Sequence, residues 1–173
     1  MTTRIGRLMA GAGMAALVAG FAGYGSTNLE AATATASFSV TANVTANCTI
    51  AAGSLGFGSY DPVVANAASP LDQTSTLTVA CTKGTNAAVS LDLGTHASGS
   101  ARRMQSGSTA TEFLSYELYT TAARSVVWNT SNTVAYTAAS KNSSSLTVYG
   151  RVSGGQDVET GNYSDSIVAT ITF

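Results

Sequence analysis

The first strong pattern in the chain is SFSVTANVTANCTI, residues 37–50. Phe38, Val40, Ala42, Val44, Ala46, Cys48 and Ile50 are apolar or cysteine, and the residues between them are Ser, Thr or Asn. Alternation with period two predicts a strand with one buried face. Ordinary strands run about 5–6 residues, so this one is oversized. Further alternating stretches follow. They place Leu77, Val79 and Cys81 on one face, then Val89, Leu91 and Leu93, then Leu114, Tyr116 and Leu118. Leu146, Val148, Gly150 and Val152 share another face, and so do Ile167, Ala169, Ile171 and Phe173. The connections GSYDP, TKGTN, THASGSARR, NTSN, AASKNSSS and SGGQDVETGNYSD are rich in turn-forming Gly, Ser, Asn and Asp. The one helix candidate, EFLSYELYTTAAR, has β-rich residues and period-two faces and reads as a strand. Six or seven short strands and regular turns predict an all-β, immunoglobulin-like sandwich without an internal repeat or a linker.

The N-terminus does not belong to that pattern. Arg4 and Arg7 precede an apolar run from Leu8 to Gly23, and the small-residue stretch EAATATA follows. This is the layout of a secretory signal peptide. The run is short for a spanning helix, which needs roughly 20 apolar residues, and glycines at 11, 13, 20 and 23 weaken it further. Cleavage could follow Ala31, Ala34 or Ala36. Ala31 is preferred, since a cut after Ala36 leaves almost nothing ahead of Phe38. Removal of residues 1–31 leaves six Lys and Arg against eight Asp and Glu, a net charge of −2. That balance argues against a nucleic-acid surface. Two cysteines in an exported chain predict one disulfide, Cys48–Cys81, tying the first strand pattern to a core strand placed as the next but one.

Few residues in the chain offer reactive chemistry. Acyl-transfer catalysis of the Ser-His-Asp kind needs a histidine base, and the single histidine, His96, sits in a Gly- and Ser-rich loop and reads as solvated. With one histidine and this cysteine spacing no zinc site is expected, and no cofactor is. The eight acids past residue 31 are scattered, and none stands out as a glycosidase pair. Arg102-Arg103 reads as a solvated basic turn, and Trp128 as a core residue rather than a sugar-stacking one. The chain is expected not to be an enzyme.

The last strand pattern, residues 167–173, runs to the end of the chain. Read as strand F of an immunoglobulin-like sandwich, it is expected to leave the fold without strand G, while residues 37–50 provide strand in surplus. A gap and a spare strand in one chain suggest that the extension of one copy completes the next; donor-strand complementation in pilins is a known form of β-augmentation.

FSVTANVTANCTI, LGFGSYDP, LTVACTKG, VSLDLG, RRM, LSYELY, VYGRV, GQ and GNYSDSIVATITF occur in this order. The ordered set resembles the spore coat protein U family, which includes major subunits of archaic (Csu-type) chaperone–usher pili. One departure is the turn after Trp128, Asn-Thr-Ser-Asn where the family often has Gly-Asp-Gly. The resemblance implies an incomplete pilin sandwich completed by donor-strand complementation. Residues 1–31 would be the signal peptide, 32–45 the donor extension and 46–173 the sandwich domain. The donor side chains would be Phe38, Val40, Ala42 and Val44. The acceptor groove and chaperone-binding edge would carry Ile167, Ala169, Ile171 and Phe173. Implied partners are identical or related subunits, a periplasmic chaperone and an outer-membrane usher. The place would be the periplasm in transit and then the cell surface, in adhesion and biofilm formation. A non-polymerising spore or cell-surface coat protein and a secreted binding module remain the alternatives.

Overall fold

A computed structural model describes residues 30–173, so the expected signal peptide falls almost wholly outside the described residues. The backbone divides into two compact units, Met1–Thr41 and Ala42–Phe173. Of the first, residues 30–41 are described. They carry no regular secondary structure and every side chain is exposed, Phe38 at 86% and Val40 at 81%. Their alternation suits a strand, but a strand exists only against a hydrogen-bonding neighbour.

The second unit holds nine strands. They are β1 (Cys48–Ala52), β2 (Leu71–Cys81), β3 (Asn86–Leu91), β4 (Arg102–Ser106), β5 (Phe113–Tyr119), β6 (Val134–Thr137), β7 (Ser144–Val152), β8 (Tyr163–Ser164) and β9 (Ala169–Thr172). One sheet has the order β1-β2-β7-β5-β4-β8 and the other β6-β3-β9, with every pair antiparallel. The oversized N-terminal strand is therefore not one strand. It enters a sheet only at Cys48, and residues 42–47 are exposed and outside any strand. The sequence pattern missed β4, β6 and β8: β6 and β8 are too short to show a period, and β4 begins with two arginines.

The inward faces anticipated from alternation meet in one core. Val79, Val89, Val152 and Trp128 are wholly buried there, with Leu77, Leu91, Leu118 and Val148 around them. Trp128 joins the two sheets. Its backbone N–H donates to the Leu118 carbonyl at 2.8 Å, and its indole N–H donates to the Val89 carbonyl at 2.9 Å. Core placement of Trp128 is thus as expected, and its polar handle is satisfied.

Arg102 is the correction. It is not a solvated turn residue but the first residue of β4, fully buried at 0%. Its guanidinium donates to the Glu117 carboxylate, to the Trp128 carbonyl at 2.7 Å and to the Asp92 carbonyl, the last also through Nε at 3.0 Å. Arg103, beside it, stacks over the Phe113 ring at 4.0 Å. A buried guanidinium is tolerated where its donors find acceptors, and three separate segments supply them here.

Cys48 and Cys81 form the disulfide, as expected, but they join consecutive and directly paired strands, not the first and the next but one. The bridge packs near Ala87, Ala138, Tyr136 and Ile171. It closes a 33-position loop, for which chain entropy predicts roughly 3–4 kcal/mol of stabilisation. Replacing both cysteines by serine is expected to lower the urea midpoint by a matching amount; an unchanged midpoint would contradict the entropic account.

Candidate functional site

On one side of the sandwich the edge strands of the two sheets, β1 and β9, come together. Alternation of hydrogen bonding decides which backbone groups stay free there. Asn47 O accepts from Thr82 N, and Gly53 N donates to Thr76 O, so the odd residues of β1 face β2. The N–H and C=O groups of Cys48, Ile50 and Ala52 therefore point to the open edge. Likewise Val168 O accepts from Asp92 N, so even residues of β9 face β3, and Ala169 and Ile171 present their backbone outward.

Between these edges lies an open, mainly apolar cleft of about 340 Å³. Leu77, Leu91, Leu118 and Val148 form its floor, and Leu55, Phe57, Ile167 and Ala169 stand at its sides. Phe57 meets the Tyr116 ring edge-on, with centroids 6.1 Å apart. The wall at Leu55 and Phe57 depends on Gly150 of β7: a Cβ there would stand 2.9 Å from both side chains. Of the four expected groove residues, Ile167 and Ala169 line the cleft. Ile171 packs beside the disulfide and Phe173 is 54% exposed; neither lines the cleft. The four expected donor residues are all exposed, Val44 at 80%.

One end of the cleft is polar. Asp165 borders it with a side chain only 2% exposed. Its Oδ1 accepts from Thr95 N at 2.9 Å and His96 N at 3.1 Å, with His96 Nδ1 also at 3.1 Å. Its Oδ2 accepts from the Tyr116 hydroxyl at 2.7 Å. Burial first, and then this hydrogen bond to a carboxylate, raise the Tyr116 phenol well above its ordinary pKa, so it stays a donor. Gly94, at φ +84°, passes so close that a Cβ would lie 2.0 Å from the carboxylate. His96 is therefore not a free loop residue but half-buried and held on Asp165. The cluster fastens the 92–96 loop to the chain entering β9. Among the described residues no group of three His, Cys, Asp or Glu could hold a metal ion. Sequence reasoning missed Asp165 and Tyr116 as a pair: they are 49 positions apart, and alternation marks Tyr116 only as a buried-face residue.

These features place the chain among known proteins. The family model described as the Spore Coat Protein U domain matches residues 34–170. The chain belongs to this family. Over 96 residues the chain is 41% identical to "Protein U" of Myxococcus xanthus, covering 51% of this chain and 53% of that one. The spore coat protein U domain is also similar in fold to a chain in the solved CsuC–CsuE complex of Acinetobacter baumannii. That structure is described as a chaperone–tip adhesion subunit pre-assembly complex from archaic chaperone–usher Csu pili. The TM-score is 0.50 at 19% identity, over 75% of this chain and 40% of that one. This chain therefore spans about half the length of the curated relative and two fifths of the solved one. In this member of the family the turn after Trp128 is built without glycine. Asn129 Oδ1 accepts from Ser131 N at 2.9 Å and Asn132 N at 2.7 Å, a side-chain-closed turn.

Proposed function

We propose that this chain is a structural subunit of a surface pilus, assembled by the chaperone–usher route through donor-strand exchange. The observation that carries the reading is an apolar cleft beside two edge strands that leave backbone groups without a neighbouring strand. A period-two segment could pair with both edges and place every second side chain on the cleft floor. Phe38, Val40, Ala42 and Val44 have that period and are exposed in their own chain. Residues 1–31 would then be removed on export, 32–45 would be the donor extension, and 46–173 the acceptor body. Ile167 and Ala169 would contact the incoming strand, with Ile171 and Phe173 continuing the edge past the cleft. Before assembly a periplasmic chaperone would occupy the same cleft, and an outer-membrane usher would exchange it for the next subunit. The fibre would reach the cell surface and serve adhesion and biofilm formation. The similarity to a chaperone–subunit complex of Csu pili supports this reading. The family's description as a spore coat domain favours a second one, a surface coat that does not polymerise into fibres.

A peptide of residues 36–46 added to a chain lacking residues 32–45 is expected to raise its melting temperature. At about 100 times its Kd a ligand stabilises by about 2.7 kcal/mol. The same peptide with Phe38 and Val40 replaced by Asp is expected to leave the melting temperature unchanged. Equal effects of the two peptides would show that the cleft is not the acceptor.

A further inference from the structure

The segment that would supply the donor repeats itself. Thr41-Ala42-Asn43-Val44 is followed by Thr45-Ala46-Asn47-Cys48 and then Thr49. Displacing β1 along β2 by four residues keeps every side chain on its face, since only odd shifts exchange faces. Such a shift also preserves most of what holds β1. Thr82 clamps the incoming chain through backbone atoms, its hydroxyl accepting from Asn47 N at 3.2 Å and donating to Thr45 O at 3.2 Å. Asn43 and Thr41 carry the same atoms. The Thr49 hydroxyl donates to the Ala80 carbonyl at 3.4 Å, and Thr45 could take its place. The ladder itself is backbone and blind to sequence. Of the five β1 positions only Thr49 keeps its residue type; Ala51 and Ala52, both exposed, would give way to Asn47 and Cys48, and two inward side chains tell the registers apart. Ile50 is half-buried against the core and would be replaced by Ala46, and Cys48 faces Cys81 directly and would be replaced by Val44.

We propose that the Cys48–Cys81 bridge is a register lock that decides where the body ends and the free segment begins. With the bridge in place, Ala42 and Val44 stay outside the sheet. In the shifted register Val44 enters β1, Ala42 is held between the clamp contacts in the place of Ala46, and only Phe38 and Val40 remain ahead of the clamp. The consequence for assembly rests on the donor reading above, whereas the lock itself concerns a single subunit. The disulfide thus fixes donor length as well as body stability, and a subunit folded before its cysteines are oxidised would display a donor with half its apolar positions.

The test exchanges the two residues that distinguish the repeats, Val44→Cys with Cys48→Val, in the full chain exported to an oxidising periplasm. Most of the folded protein is expected to carry a bridge from the relocated cysteine to Cys81, mapped by mass spectrometry of a non-reduced digest. Fibres from it are expected to dissociate at lower denaturant than wild-type fibres. A folded chain whose relocated thiol remains free to alkylation overturns the lock, because the register would then be set without the bridge. If the exchanged chain does not accumulate, wild-type protein reduced under native conditions decides. Amide protection is expected to extend from 45–48 into 41–44, and an unchanged exchange pattern overturns the proposal. Bridge position and amide exchange are read on the subunit alone. Fibres as resistant to denaturant as wild type, formed with the expected bridge, would therefore count against the donor reading and not against the lock.

Discussion

Replacing Phe38 and Val40 together by Asp is expected to abolish fibre formation while leaving the subunit folded and its disulfide intact. Burying a large apolar side chain is worth about 1.5–3 kcal/mol. Phe38, Val40 and Val44 with a little from Ala42 would give roughly 5–9 kcal/mol gross on that scale. Ordering the extension opposes this at about 1–2 kcal/mol per residue, and backbone hydrogen bonds return about 0.5–1.5 kcal/mol each. The net is modest, so the two replaced side chains carry most of the margin. The variant also places two carboxylates on a floor of Leu77, Leu91, Leu118 and Val148, where burial of an unpaired charge costs several kcal/mol more. Within their own chain both residues are over four-fifths exposed, so the urea midpoint of the monomer should not move. Negative-stain microscopy and sedimentation read the first expectation, and denaturant unfolding the second. Normal amounts of fibre from the double variant would remove Phe38 and Val40 from the donor.

Arg102→Ala is expected to be the most damaging single substitution in the body, at about 3–5 kcal/mol, the usual cost of removing one partner of a buried ion pair. The truncation leaves the Glu117 carboxylate with the Leu118 N–H alone and the carbonyls of Asp92 and Trp128 without this donor, and opens a void beside Trp128. In a body of this size the loss corresponds to a fall in melting temperature on the order of 10 °C or more. Arg102→Met with Glu117→Gln fills the space and removes the unpaired charge, and is expected to regain part of the loss. Urea midpoints of the three proteins check the order. If Arg102→Ala unfolds at the wild-type midpoint, the buried network does not hold the sheets.

The pH response of the outer face can be read from Asp72, where the sign is fixed. The Arg151 guanidinium, bonded at 2.7 and 2.8 Å, holds its carboxyl below the usual carboxylate range, helped by Arg124. A folded-state pKa below the unfolded one gives stability that is present above the unfolded carboxylate value and lost as pH falls through the lowered one. The group is a third exposed, so the contribution is that of a surface pair, about 0–1 kcal/mol.

The sequence alone determined the all-β class, the inward faces of β2, β3, β5 and β7, the cysteine pair and the resemblance to the family. These are local or ordered features: period-two alternation records which face of a strand is buried wherever the strand lies. It did not determine where the first alternation stops being sheet. Residues 38 and 50 share one pattern, and only a neighbouring strand makes one of them β1 and leaves the other exposed. Nor did it show that Arg102 is core. A buried cation is tolerated when acceptors from distant segments converge on it, and Asp92, Glu117 and Trp128 meet only after both sheets have formed. The cleft is the same kind of fact. Its floor residues read from sequence as ordinary core, and only the arrangement of the two sheets leaves that core open. Tertiary structure decided these points because each depends on which strands are neighbours, and neighbour choice is a property of the whole chain.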